Sequence, residues 1–225
     1  SRKRTGGRNF EENQGDKAMN QGIFITFEGA DGTGKTTQLA SIARLLRQKG
    51  HDVVCTREPG GTKAAEKIRS LVLDAELAMG HRTEALLYLA GRADHVSELI
   101  APALESGKIV LCDRFSDSTI VYQGCGRGIP LPALRMLDDF AACSLKPGLT
   151  ILLDGDPAEL AVRRQGRGVS DKFEMEGLEF QAKIRGAFLK LAASEPERIA
   201  VIDALQAETD VTEEIMTKIE ALLCK

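Results

Sequence analysis

Eight residues, Gly29-Ala30-Asp31-Gly32-Thr33-Gly34-Lys35-Thr36, fit G-x-x-x-x-G-K-[ST] at every fixed position. A stretch of this kind is built to hold phosphate. Its glycines let backbone N–H groups curl around phosphate oxygens, and a helix starting at its end adds a positive dipole end. Lys35 would reach the β- and γ-phosphates of a nucleotide, and Thr36 would offer its hydroxyl to Mg2+. The bland alternative is a glycine-rich strand-to-helix turn that binds nothing. The flanks favour chemistry: the apolar run Ile23–Phe27 reads as a strand, and Gln38–Arg47 has helical periodicity.

A phosphate-binding loop alone does not separate a kinase from a GTPase, a motor or a helicase. The tetrapeptide N-K-x-D, which reads guanine, is missing from the sequence, and 225 residues are few for a large ATPase. The size and spacing suit a small-molecule kinase. Moving a phosphoryl group between a nucleotide and a phosphorylated acceptor brings two polyanions together. The acceptor is already a nucleophile, so the needs are positioning, charge neutralisation and exclusion of water. Arginines at strand ends and a basic lid would meet them. Arg57 follows the second apolar strand, Arg114 the third, and Arg92 lies on the long helix between them. Ligands of parallel sheets bind at the carboxyl ends of strands, which favours Arg57 and Arg114 over the default of surface arginines. Arg163, Arg167 and Lys172 fall in a glycine-containing stretch, as a closing lid requires; a solvated basic loop is the plainer reading.

These residues need elements to position them. Strands are expected at 23–27, 52–56, 109–112, 149–154 and 198–203, and helices at 38–47, 62–75, 83–106, 131–143, 157–165, 175–194 and 208–223. On helix 62–75, Ala65, Ile68, Leu71 and Val72 mark the apolar face, and Pro102 is expected to kink or divide helix 83–106. Residues 115–128, with hydroxyls and three glycines, read as a functional loop with a short helix. The alternation predicts an α/β fold of the P-loop NTPase type: about five parallel strands flanked by helices, with a small mobile lid at about 163–175. Residues 1–19 read as a disordered tail and 20–225 as one domain, with Met19 a plausible native start.

Net charge is −3, and five basic against three acidic residues in 1–20 leave −5 on 21–225, which argues against nonspecific nucleic-acid binding. No apolar run approaches the roughly 18 residues of a membrane span, and the basic start lacks the hydrophobic core of a secretory signal. Five cysteines without C-x-x-C, several in apolar runs, predict buried reduced thiols in the cytoplasm. The three histidines (51, 81 and 95) have no metal-ligand spacing.

Taken together, the loop with acidic Asp31, Thr56-Arg-Glu-Pro-Gly-Gly61, Tyr88-Leu-Ala-Gly-Arg92, Asp113-Arg114-Phe115 and Tyr122-Gln-Gly124 resemble the thymidylate kinase family, over about residues 20–225. The resemblance implies transfer of the ATP γ-phosphate to dTMP with Mg2+, giving dTDP. Gly29, Ala30, Asp31, Gly32, Thr33, Gly34, Lys35, Thr36 and Thr37 would bind ATP. Arg57 and Arg114 would take the dTMP phosphate, Arg92 the base, and Asp31 the sugar 3′-hydroxyl. Tyr88, where many members have phenylalanine, would stack on thymine. Tyr122 would line the sugar, with Ser118 and Gln123 beside it. Catalysis would fall to Lys35, Arg114 and Asp113 with the lid residues Arg163 and Arg167, because Gly32 leaves the loop without an arginine of its own. Thr36 and Asp113 would hold the metal. Lys172 stands where the lid pattern has arginine, and Asp171 and Glu174 would order the metal or lid. The family also implies a homodimer in the cytoplasm, with no nucleic-acid or membrane partner. The alternatives are another kinase of this class, for UMP or CMP, and a nucleotide-binding protein without catalysis.

Overall fold

Three of the five strands are buried along almost their whole length, and this decides where they lie. β1 (Ile23–Glu28), β3 (Ile109–Asp113) and β4 (Leu149–Asp154) have both faces covered, whereas β2 (Val53–Arg57) and β5 (Ile199–Asp203) mix buried and open positions. Doubly covered strands belong at the centre of a parallel sheet. The computed structural model, which describes residues 22–164 and 177–224, has the order β2-β3-β1-β4-β5 with every pair parallel. The expected five-stranded α/β sheet is therefore present. The tail at 1–19 and the lid residues Arg167, Asp171, Lys172 and Glu174 lie outside the described residues.

Helices cover both faces. α1 (Lys35–Gln48) and α9 (Glu208–Leu223) bury Ile42, Leu46, Ile215 and Ile219 against Ile25, Phe27, Leu111 and Ile151. The opposite face packs Phe24, Val110 and Phe115, with Phe24 and Phe115 edge to face at 4.9 Å, under the long helix of residues 81–105. α8 (Leu178–Ser194) covers Leu152 on that same side through Ile184 and Phe188.

That long helix is α3 (His81–His95), a π-helical segment Val96–Ile100 and α4 (Ala101–Glu105). Pro102 has no N–H and its ring clashes with the carbonyl four residues back. The helix widens just before it, with Ala101 N–H donating to Val96 O, and so continues past the proline without being divided. α2 (Lys63–Val72) buries Ala65 and Val72, but Leu71 is exposed, because the inward face runs through Ala65, Ile68 and Val72.

Residues 115–128 hold the expected short helix, but most of the expected loop after it is helical as well. They form α5 (Ser116–Thr119) and a π-helical segment Ile120–Gly126. The glycines there serve close packing: a Cβ on Gly124 would lie 2.5 Å from Leu131 of α6 (Leu131–Ala141). Gly128, at φ 76°, does make the turn. The cysteines also differ from expectation. Cys112 is buried, but Cys55, Cys143 and Cys224 are exposed, because they sit at outward strand and turn positions.

Gly29 is the tightest point of the chain's phosphate-binding loop. Its φ is 130°, and a Cβ there would meet Leu153 O at 2.2 Å. Gly29→Ala is expected to lower stability by at least ~2 kcal/mol, with a matching drop in melting temperature. A variant melting with the wild type would contradict this packing.

Candidate active site

Each strand ends on a charged residue at the carboxyl edge: Glu28, Arg57, Asp113, Asp154 and Asp203. The phosphate-binding loop leaves β1 at the centre of this edge and enters α1 at Lys35. Gly29, Gly32 and Gly34 all have positive φ, which lets the loop fold over the helix start. Lys35 Nζ donates to the carbonyls of Gly29 (3.1 Å) and Ala30 (2.9 Å) and lies 3.9 Å from Asp31. Burial, and then the charge of Arg114, lower the Lys35 pKa from its ordinary value. Thr33 Oγ1 closes the loop by donating to Ala30 O, and Thr36 Oγ1 donates to Asp113 Oδ2 at 2.7 Å.

Three arginines face this loop, each with a carboxylate. Arg114 stands just past β3 with φ 71°, a conformation that a residue with a side chain adopts at a cost of order 1–3 kcal/mol. Its backbone N–H donates to Phe27 O, and the turn carries the guanidinium onto Gly29 O, Ser118 Oγ and Asp31 Oδ1 (2.5 Å). The same guanidinium sits 5.2 Å from the centre of the Tyr122 ring. Arg57 makes a two-oxygen contact with Glu66 at 2.9 and 3.0 Å, and both side chains are about half exposed. Arg92 is buried. Its Nε and Nη2 donate to Glu58 Oε2 (2.9 and 2.6 Å), and its Nη1 donates to Thr119 Oγ1 (3.0 Å) and to Asp138.

One cleft of about 310 Å³ joins the two groups. Asp31, Gly32, Gly34, Lys35, Thr36, Thr37 and Asp113 line it on the loop side; Arg57, Tyr88, Arg92, Arg114, Ser118, Tyr122 and Gln123 line the other. Gly29, Ala30 and Thr33 build the loop from behind without lining the cleft. Arg163, on α7 (Pro157–Arg164), donates to the carbonyls of Ala204 (2.6 Å) and Leu205 (3.1 Å) and does not line the cleft. Arg167 lies outside the described residues.

The cleft also has walls that motif reading passes over: Arg69, Leu73 and Thr119. Arg69 donates to Pro59 O at 2.7 Å. Ala65, Arg69 and Leu73 follow at spacings of four, so the inward stripe of α2 was the available signal.

Comparison with known proteins settles the family. The sequence model of the thymidylate kinase family matches residues 27–215. This chain is a member of the thymidylate kinase family. It is 51% identical to the thymidylate kinase of Geobacter sulfurreducens, over 81% of this chain and 89% of that one. It is 48% identical to that of Deinococcus radiodurans, over 88% and 96%. The crystal structure of thymidylate kinase from Ehrlichia chaffeensis superposes with a TM-score of 0.72 at 36% identity, covering 88% of this chain and 98% of that one.

Beneath the cleft of this thymidylate kinase family member lies a buried carboxyl group outside the expected site. Glu28 Oε1 accepts from the N–H groups of Phe115 (2.8 Å) and Ser118 (3.2 Å), and Oε2 accepts from Ser118 Oγ (2.6 Å). Burial, then the nearby Asp117 carboxylate, raise its pKa from 4.5 to about 7. Below pH 4.5 the group is protonated whether or not the chain is folded. As pH rises through 7 the unfolded chain has already ionised, so the stability contributed by the buried acid, about 3 kcal/mol, is lost over this window. Wild-type stability relative to Glu28→Gln should therefore fall from pH 5 to pH 8 in urea titrations. A pH-independent difference would refute the shift.

Proposed function

We infer that this chain transfers the γ-phosphate of ATP to dTMP, giving ADP and dTDP. The reading rests on one observation: Lys35 of the phosphate-binding loop and the arginines 57, 92 and 114 line a single cleft. The donor end is the loop from Gly29 to Thr37. Lys35 exchanges its contacts with loop carbonyls for the β- and γ-phosphates, and follows the charge as the γ-phosphoryl group leaves. Arg57 and Arg114 hold the acceptor phosphate, so that the nucleophilic oxygen faces the donor in line. Asp31 passes from Arg114 to the sugar 3′-hydroxyl as phosphate replaces it.

At the base end, Tyr88 stacks on thymine. Four of the five N–H groups of Arg92 are taken by protein oxygens, which leaves one Nη2–H for a base carbonyl. Tyr122, Ser118 and Gln123 border the sugar. Arg167, with Arg163 once it leaves its two carbonyls, adds positive charge over the transferring group from the lid.

The hydroxyl of Thr36 and the carboxylate of Asp113, 2.7 Å apart beside the cleft, form the hard-oxygen donor pair that suits Mg2+. Bound there with ATP, the ion would neutralise charge on the β- and γ-phosphates. No helix among the described residues is long and apolar enough to cross a membrane, in keeping with work in the cytoplasm on dissolved nucleotides. A second copy of this chain is the proposed cover for Leu86 of α3 and for Met136, Leu137 and Phe140 of α6, all exposed, Phe140 to 84%. Phe140→Glu should convert a dimer into a monomer in sedimentation velocity; a wild-type monomer would overturn the assignment.

Activity is tested with ATP, Mg2+ and a panel of dTMP, UMP, CMP, AMP and GMP. ADP release should be fastest with dTMP. Arg57→Ala should raise the dTMP KM by about tenfold or more, the scale of a charge-assisted contact. Equal rates across the panel, or an unchanged KM, would overturn the reading.

A further inference from the structure

His95 is fully buried at the end of α3, one turn after Arg92, and the motifs leave it without a role. Both ring nitrogens are engaged. Nδ1 lies 3.1 Å from Glu58 Oε1, and Nε2 lies 2.7 Å from Thr56 Oγ1. Burial alone would raise the Glu58 carboxyl, yet the charge of Arg92 and the His95 donor outweigh it and hold the group below its ordinary value. Glu58 is thus an acceptor only, so Nδ1 carries the hydrogen between them, while Nε2 pairs with the Thr56 hydroxyl, which can act as donor or acceptor. The other oxygen of Glu58 receives two N–H groups of Arg92. A line of bonds runs from hydroxyl to imidazole to carboxylate to guanidinium.

The same ring supports the acceptor loop. A Cβ on Gly61 would lie 2.4 Å from His95 Nε2 and 2.7 Å from Thr56 Oγ1, so the backbone of Arg57-Glu-Pro-Gly-Gly61 rests directly against this pair. Glu58 belongs to that loop and His95 to the helix that carries Tyr88 and Arg92. An apolar residue in place of His95 would leave Glu58 Oε1 buried without its donor and free the carboxylate to rotate, taking the Arg92 fork with it.

We propose that His95, locked by Thr56, is a positioning residue for the nucleoside monophosphate: through Glu58 it sets the direction of Arg92, and through Gly61 the seat of the loop bearing Arg57. It touches neither substrate. The inference rests on the reading that Arg92 and Arg57 meet dTMP.

The test is a set of purified variants assayed for the KM of dTMP, the KM of ATP and kcat. Thr56→Val removes only the hydroxyl that locks the ring, and should raise the dTMP KM about three- to tenfold with the ATP KM within about twofold. His95→Leu should raise it further. His95→Asn, which can keep a donor towards Glu58, should recover part of the loss. Should His95→Leu fail to fold, Thr56→Val and His95→Asn decide. If those two fold and leave the dTMP KM unchanged, or raise both KM values equally, the positioning role is wrong and the ring is only a structural support. Arg92→Lys in the same assay separates the two levels. If it leaves the dTMP KM unchanged, the assignment of Arg92 fails. If it raises the KM while the Thr56 and His95 variants do not, that assignment stands and this inference falls.

Discussion

Positive charge gathered for phosphate must be tolerated when no phosphate is there, and this constraint shapes the cleft. Lys35 and Arg114 share Asp31, Arg57 holds Glu66, and Arg92 is held by Glu58 and Asp138. Depth separates these pairs. The Arg57–Glu66 contact is half exposed and therefore worth little, so a phosphate can replace the carboxylate readily. Arg92 and Glu58 are buried together, and parting them would strand a charge away from water. One arginine is thus exchangeable and another is a fixed part of the wall. Arg114 stands between, its partner Asp31 being a loop residue that itself lines the cleft.

The neighbouring strands β1 and β3 hold the two halves of the site at one register. Phe27 pairs with Asp113, so the loop leaving β1 and the turn leaving β3 begin side by side. From that single alignment follow the Thr36–Asp113 bond, the Arg114–Asp31 pair and the Arg114 contact with Gly29 O. The left-handed backbone at Arg114 is sustained by these bonds, and Glu28 beneath fixes the start of α5 through Phe115 and Ser118. The start of the Arg57 loop is tied to the same edge through the backbone, Arg57 pairing with Asp113 and Glu58 N–H donating to Asp113 O at 2.9 Å.

Much of this was readable from residue order. The loop, the apolar run Ile109–Cys112 and the arginines at strand ends announce themselves through spacing and through a run that suits a covered sheet. Glycine misled at residues 115–128: its two uses, turning the chain and admitting a neighbour, look alike until Leu131 is seen against Gly124. Leu71 misled because an apolar residue at helical spacing can fall beside the inward stripe as easily as on it. Arg69 was hidden by the same ambiguity, since a lone arginine on a helix is ordinarily solvated. Glu28, Glu58 and His95 act through partners far along the chain, up to 90 residues away for Glu28 and Ser118, and short motifs carry no record of such pairings.

The π-helical segment before Pro102 has a further consequence, for how the chain length of this helix can vary. A turn closed by Ala101 N–H on Val96 O holds one residue more than an α-turn. Loss of a single residue between 96 and 100 would let the helix revert to regular winding, with α3 and α4 still facing their neighbours. The same loss within α3 would rotate everything beyond it by about 100°, one residue's share of a turn, and swing Arg92 or Tyr88 off the cleft. The helix thus carries its own allowance for deletion, placed past the last residue that serves the site.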